Sequence, residues 1–260
     1  MSEPAHPQPE QPQEPELDRL RAELEMTHVQ LAAAQAGLAD YAYSVSHDLR
    51  ANLRHITAYV GLIREELGDT ANSEVANFLN IVTNSSFLMA RQIDGLVRWS
   101  QLDRVMLDEA ALDLHALIEE VRQSMQSEMS GRQVDWQIAA DFPALRGDGI
   151  LLRELFRHLL SNALKFTRTR PKAVIQVGWQ PPADGRCQVF VRDNGVGFNR
   201  RQRDKLFHVF QRLHSSQEFE GLGLGLALAR KIVALHDGTI RVEGEPDAGC
   251  QISFTLALPA

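Results

Sequence analysis

Two glycine clusters, Asp193-Asn194-Gly195-Val196-Gly197-Phe198 and Gly221-Leu222-Gly223-Leu224-Gly225-Leu226, bracket an Arg-rich segment in the C-terminal part of this chain. Glycine takes positive φ at little cost and lets backbone approach a ligand closely. The second cluster ends where an apolar helical pattern begins at Leu224, Leu228, Ile232 and Val233. Free N–H groups and a positive helix end therefore face whatever the glycines admit, and such a site takes an anion. One glycine turn before a helix mostly serves packing; two around one segment point to a nucleotide lid. Their spacing fits neither the dinucleotide fingerprint nor the P-loop, so a third nucleotide geometry is required.

Upstream, Leu151, Leu152, Leu155, Phe156, Leu159 and Leu160 form the core stripe of a helix, leaving His158 and Asn162 one turn apart on another face. An amide oxygen there can ligate a Mg²⁺ held mainly by phosphates. Earlier still, Tyr43-Ser44-Val45-Ser46-His47-Asp48-Leu49-Arg50 sets an imidazole beside a carboxylate on a helix. Five segments then stand in order: His47-Asp48-Leu49-Arg50, Leu160-Ser161-Asn162-Ala163-Leu164-Lys165-Phe166-Thr167, Asp193-Asn194-Gly195-Val196-Gly197, Leu206-Phe207-His208-Val209-Phe210 and Gly221-Leu222-Gly223-Leu224-Gly225-Leu226. Together they resemble the five boxes of two-component sensor histidine kinases, over about residues 40 to 258.

The resemblance implies a kinase that uses ATP and Mg²⁺ and carries its phosphoacceptor at His47, with Asp48 orienting the ring or taking its proton. Of nine histidines, His47 alone lies in a Ser-x-Ser-His-Asp-Leu-Arg setting. Asp193, after the apolar run Val189-Phe190-Val191, would read the adenine amino group, Asn162 would ligate Mg²⁺ and Lys165 would contact a phosphate. Arg212 would reach the γ-phosphate from the lid, while Gly195, Gly197, Gly221, Gly223 and Gly225 would let backbone close on the nucleotide. Plainer roles stand beside these: a turn aspartate at 193, a helix C-terminal cation at 165, a solvated lid charge at 212.

Two departures from the family pattern bear on activity. His158 stands where a second Asn is usual, although chemotaxis-type kinases resemble this chain in carrying His there. Ala51-Asn52 replaces the usual Thr-Pro or Glu-Pro. The latter argues against phosphatase activity, since the family's hydrolytic reaction uses a polar residue at position 51 to hold water. The His box, with Leu53-Arg54-His55-Ile56, looks most like the phytochrome branch.

Bulk properties fit a soluble globular protein of one or two domains: 260 residues, 44% hydrophobic and 23% charged. A net charge of −7 and a pI near 5.7 exclude nucleic acid as the main partner, because phosphate-backbone binding needs a basic face. No stretch reaches the roughly 18 to 20 apolar residues of a membrane span, and the acidic start lacks a signal pattern, which reads as cytoplasmic. Cys187 and Cys250 lie in strand-like runs and read as small buried thiols.

Residues 1–16 hold five of eleven prolines among Gln and Glu, a disordered lead. Leu17, Leu24, Leu31, Leu38 and Val45 then recur every seventh residue, with Leu20, Thr27, Ala34 and Tyr41 between, which predicts a parallel coiled coil over 17–40. A helical hairpin over 41–105 follows, with a break near Gly68-Asp69 and a second helix from about Ser73 to Asp103. Its apolar face calls for a second hairpin, hence a homodimeric four-helix bundle. From 112 to 260 the pattern mixes helices near 114–130, 149–165 and 223–236 with strands near 133–139, 173–179, 187–192, 239–243 and 250–257. Pro181-Pro182-Ala183-Asp184-Gly185 forms a hairpin turn. The expected class is α+β: the bundle, then an α/β sandwich as in the ATPase fold of histidine kinases, type II topoisomerases and Hsp90-like chaperones.

The resemblance thus implies a sensor histidine kinase that phosphorylates His47 and passes the group to an aspartate of a response-regulator receiver. Two rivals stand beside it: a pseudokinase scaffold, motivated by His158 and Ala51, and a serine-kinase-type ATPase of the same fold. The second leaves the His-bearing hairpin without a role.

Overall fold

In the computed structural model, which describes residues 14–68, 72–183, 185–215 and 218–259, heptad segment and first hairpin helix are one rod. This helix, α1 (Glu14–Leu67), has 54 residues and is about 80 Å long. Of the expected disordered lead, residues 1–13 lie outside the described part, whereas Pro15 and Glu16 are already helical. Proline is tolerated there because a first turn has no use for its missing N–H. The helix ends at Gly68, whose φ of 47° stops it close to the expected break; Asp69 lies outside the described residues. Helix α2 (Ser73–Gln101) starts under Asn72, whose side chain accepts the Val75 N–H at 2.8 Å.

The two helices run antiparallel in a register marked by Arg50 Nε to Asp94 Oδ1 at 2.7 Å and Arg64 Nη2 to Asn80 Oδ1 at 2.9 Å. Ser46, Leu53, Val60 and Ser86 are buried, but Leu49, Ile56, Ile63, Phe78, Ile81 and Leu88 stay exposed on the single chain. Heptad residues Leu17, Leu20, Leu24 and Leu31 are exposed as well, and the Leu38 side chain lies outside the described part.

A 3-10 turn (Leu102–Arg104) replaces the expected last residues of α2 and leads to β1 (Glu109–Leu112). There follow α3 (Leu114–Ser124), β2 (Val134–Ile138), β3 (Leu145–Asp148), α4 (Gly149–Phe166), β4 (Ala173–Ala183), β5 (Arg186–Asp193), α5 (Gly225–Leu235), β6 (Ile240–Glu245) and β7 (Gly249–Ala257). The five-stranded sheet has the order β2-β4-β5-β7-β6, antiparallel except for the β2–β4 pair. Two short strands were not expected: β1 and β3 pair antiparallel, Glu109 opposite Asp148. The second domain therefore starts before residue 112, and Leu102, fully buried, already belongs to its core. The helix expected over 114–130 ends at Ser124 and continues as a 3-10 turn at Gln126–Met129. Of the expected turn over 181–185, residues 181–183 instead extend β4, with Ala183 opposite Arg186, and Asp184 lies outside the described residues.

Alternate residues of β5 (Cys187, Val189, Val191) and β7 (Ile252, Phe254, Leu256) turn inward against Leu155, Phe156, Leu159 and Leu160 of α4. Each such burial stabilises by about 1.5–3 kcal/mol, and Phe156 meets Phe254 edge-on at 5.7 Å. Among the described residues no helix is long and apolar enough to cross a membrane.

Candidate active site

His47 and Asp48 project from α1 with side chains 66% and 79% exposed. His47 Nδ1 lies 3.2 Å from Asp48 Oδ1. Assigning the Nδ1 proton to that contact leaves the Nε2 lone pair unused by the protein. By the hairpin register, His47 is level with Val97 of α2. Ala51, one turn further, is half-buried.

Asn162, Lys165, Asp193, Gly197, Arg212, Gly221, Gly223 and Gly225 all line one cavity of about 320 Å³. That volume suits a small molecule. Gly195 does not line it; its N–H donates to Asp193 Oδ1 at 2.8 Å, and a Cβ there would lie 2.6 Å from the Phe166 carbonyl oxygen. It braces the aspartate instead. Two glycines fix the strap between β5 and α5: Gly197 (φ 62°), where a Cβ would strike the Glu245 carbonyl, and Gly223 (φ 69°), where it would strike that of Gln211.

At one end of the cavity Asp193 closes β5 beside Val191, Phe198 and Ile252. Burial pushes its carboxyl up to about 6, although N–H groups of Gly195 and Cys250 and the charge of Arg170 pull the other way. One carboxylate at the base of an apolar slot accepts a flat heterocycle that carries an exocyclic donor. Cys250 lies beside it, and burial, then the Asp193 charge, push its thiol far up, so it stays protonated.

The other end is built for anions. Helix α5 begins at Gly225 with no side-chain cap, so its first N–H groups are open. The side chains of Lys165 and Asn162 make no hydrogen bond among the described residues, and the Lys165 ammonium lies 4.4 Å from the Phe166 ring centroid. Burial draws the Lys165 ammonium below the usual lysine range; Glu220 opposes this, and Arg212 and Arg168 add to it. His158 Nε2 is buried without a hydrogen bond, 3.9 Å from Glu154 Oε1. An orphaned polar atom at this place fits a site that expects a polar ligand.

Arg212 differs from expectation. It lines the cavity, but its guanidinium donates to the Phe219 carbonyl and so holds the strap to itself. The Phe219 ring packs on Phe166 at 5.2 Å and on His214 at 5.3 Å, which shuts the strap over the cavity. These aromatics escaped the sequence reading, since nothing in their spacing distinguishes them from core.

Also unforeseen is the wall supplied by α2. A Cβ on Gly95 would lie 2.2 Å from Leu224 Cδ1, so any larger residue there would have to push that side chain aside. Arg98 Nε bonds Glu154 of α4 at 3.0 Å, and Lys231 of α5 bonds Asp103 at 2.8 Å and the Trp99 carbonyl at 2.6 Å. Burial alone would raise the Glu154 carboxyl; His158 and Arg98 outweigh it and bring it to about 2.

Residues 147–260 match the family of histidine kinase-, DNA gyrase B- and HSP90-like ATPases. The chain is 30% identical to the methanogenesis regulatory histidine kinase FilI of Methanothrix harundinacea over 244 residues, covering 94% of this chain and 27% of FilI. It is 31% identical to cyanobacterial phytochrome B of Nostoc over 244 residues, 93% of this chain and 31% of that protein. The chain thus spans about a third or less of these relatives. Its fold is similar to the crystal structure of full-length ShkA in complex with AMPPNP, at a TM-score of 0.62 and 22% identity over 85% of this chain and 46% of ShkA. Ordered boxes, hairpin, cavity and these likenesses point one way: residues 147–260 match the ATPase family, and the chain as a whole is similar to part of a histidine kinase such as FilI.

Proposed function

We propose that this chain is a kinase core that moves the γ-phosphoryl group of ATP to His47 and then to an aspartate of a response-regulator receiver, acting as a homodimer. One observation carries the reading: a single cavity joins a half-buried strand-end carboxylate to an uncapped helix N-terminus, the Asn162 amide and the Lys165 ammonium. Asp193 binds the adenine amino group, and Lys165 and the α5 N–H groups take phosphates. Among the described residues no three His, Cys, Asp or Glu side chains could hold a metal ion by themselves. Mg²⁺ would therefore be held by phosphate oxygens and the Asn162 amide, where it neutralises charge.

His47 Nε2 supplies the electron pair of the new nitrogen–phosphorus bond, the bond from γ-phosphorus to the bridging oxygen breaks, and ADP leaves with that pair. The Nδ1 proton passes to Asp48. Labelled ATP should mark the wild type and leave His47→Gln unmarked while nucleotide binding persists. The label should be acid-labile and base-stable, and an acid-stable label on His47→Gln would overturn the reading in favour of a serine-kinase-type ATPase.

A further inference from the structure

Resting on the nucleotide reading of the cavity, we infer that Arg91, supplied by the helical hairpin rather than by the ATPase domain, is a γ-phosphate contact. Arg91, Gly95 and Arg98 recur at helical spacing along α2 and so share one face of it. That face meets the ATPase domain. Arg98 is engaged by Glu154, and Gly95 sits on Leu224, the residue just before the open N–H groups of α5. Arg91 lines the same cavity as Asn162 and Lys165 and has no ion pair or hydrogen bond among the described residues. A guanidinium left without an ion pair beside an uncapped helix start, the Lys165 ammonium and the His158 Nε2 that lacks a hydrogen bond is matched by an oxyanion.

The place of Arg91 along the nucleotide follows from the two ends of the cavity. The carboxylate end belongs to the base, and the α5 end to the phosphates. Gly95 touches the α5 end, so the cation one turn before it reaches the terminal phosphate and not the base. His47 is level with Val97, within one turn of Gly95 along the hairpin. The hairpin thus carries both the nucleophile and, less than two turns along it, a cation for the group it attacks. Contact with Arg91 exists only while the ATPase domain is docked on α2, so it favours the docked arrangement when ATP rather than ADP is bound.

The test compares ATP and ADP, each with Mg²⁺, on the full chain carrying Arg91, Arg91→Lys or Arg91→Gln. Arg91→Gln should weaken ATP about tenfold or more, leave ADP within about twofold and slow labelling of His47. Arg91→Lys, which keeps the charge and loses the fork, should recover most of the ATP preference. Equal losses for ATP and ADP would make Arg91 a shaper of the cavity, and unchanged ATP affinity and labelling rate would remove it from the site; either overturns the inference. A wild type that binds neither nucleotide overturns the nucleotide reading and this contact with it.

Discussion

The same residue type does opposite work in the two halves of this molecule. Phe156 in α4 is fully buried, whereas Phe78 in α2 is 55% exposed, although both lie on apolar helical stripes. The C-terminal domain closes its core within one chain, because a sheet and three helices supply both surfaces of each contact. The hairpin is one layer, and a layer must be finished by something else. Its apolar face stays open on the single chain, its Arg98 and Gly95 meet the C-terminal domain, and its His47 is exposed.

Truncating the two phenylalanines is the strongest way to break the comparison. Phe156→Ala should cost about 3–5 kcal/mol and lower the melting temperature equally at every protein concentration. Phe78→Ala should leave nucleotide binding intact and instead weaken dimerisation, seen as a sedimentation profile that turns monomeric on dilution. A concentration-independent, monomeric wild type would refute the unfinished-layer account of the hairpin.

The joint between the halves comes next. Arg98→Ala leaves the half-buried Glu154 with His158 alone beside it, and losing a charge-assisted hydrogen bond costs about 1.5–3 kcal/mol. Because the folded Glu154 pKa lies near 2, below its ordinary 4.5, this contribution is present above about pH 4.5 and is lost only as pH falls towards 2. Hydrogen exchange in α2 should report it: faster near residues 95–101 in the variant at neutral pH, and unchanged in β5.

Asp193 gives a smaller effect with a sharper signature. Its carboxyl, raised from 3.8 to about 6, makes the folded state bind more protons than the unfolded one in that window. The apo protein should therefore lose stability as pH rises from about 4 to about 6, and stay level above. Nucleotide binding runs oppositely, since the base needs the carboxylate: affinity should fall as pH drops through about 6. Asp193→Asn should flatten both profiles, leave the apo protein at least as stable at pH 7, and weaken ATP by about 1.5–3 kcal/mol. Wild-type affinity in that variant would make Asp193 a mere turn residue.

Periodicity made the long elements legible, because α1, α2, α4 and α5 each carry enough turns for a stripe to show. It failed for β1 and β3, whose four residues each allow too few alternations to stand out. The glycine clusters and Asn162, Lys165 and Asp193 could be read because they are local in sequence, and all but Gly195 among the glycines line one cavity with those three. What escaped was non-local. The α2 wall of the cavity lies far upstream of α4 and α5, the Phe219 carbonyl that engages Arg212 exists only once the strap folds back, and the high Asp193 pKa is a product of burial.

On the proposed function, the least disturbing change tests whether the hairpin brings more than a nucleophile to the receiver. Hydrolysis of an aspartyl phosphate needs a water held in line, and the place for its holder is one turn beyond His47 on the same face. Ala51 stands there, half-buried, with only a methyl group, while Asn52 is exposed and rotated about 100° away. Wild type should therefore release phosphate from a phosphorylated receiver, in the presence of ADP, no faster than the receiver does alone. Ala51→Thr adds a hydroxyl at modest cost, since Thr in a helix can bond the carbonyl four residues back, as Thr57 does to Leu53 at 2.9 Å. A gain of hydrolysis in Ala51→Thr, with labelling of His47 retained, would show that the receiver already docks correctly and lacked only the water. Acceleration by wild type would mean that the holder comes from elsewhere, and the division of labour drawn between the two halves would need another donor.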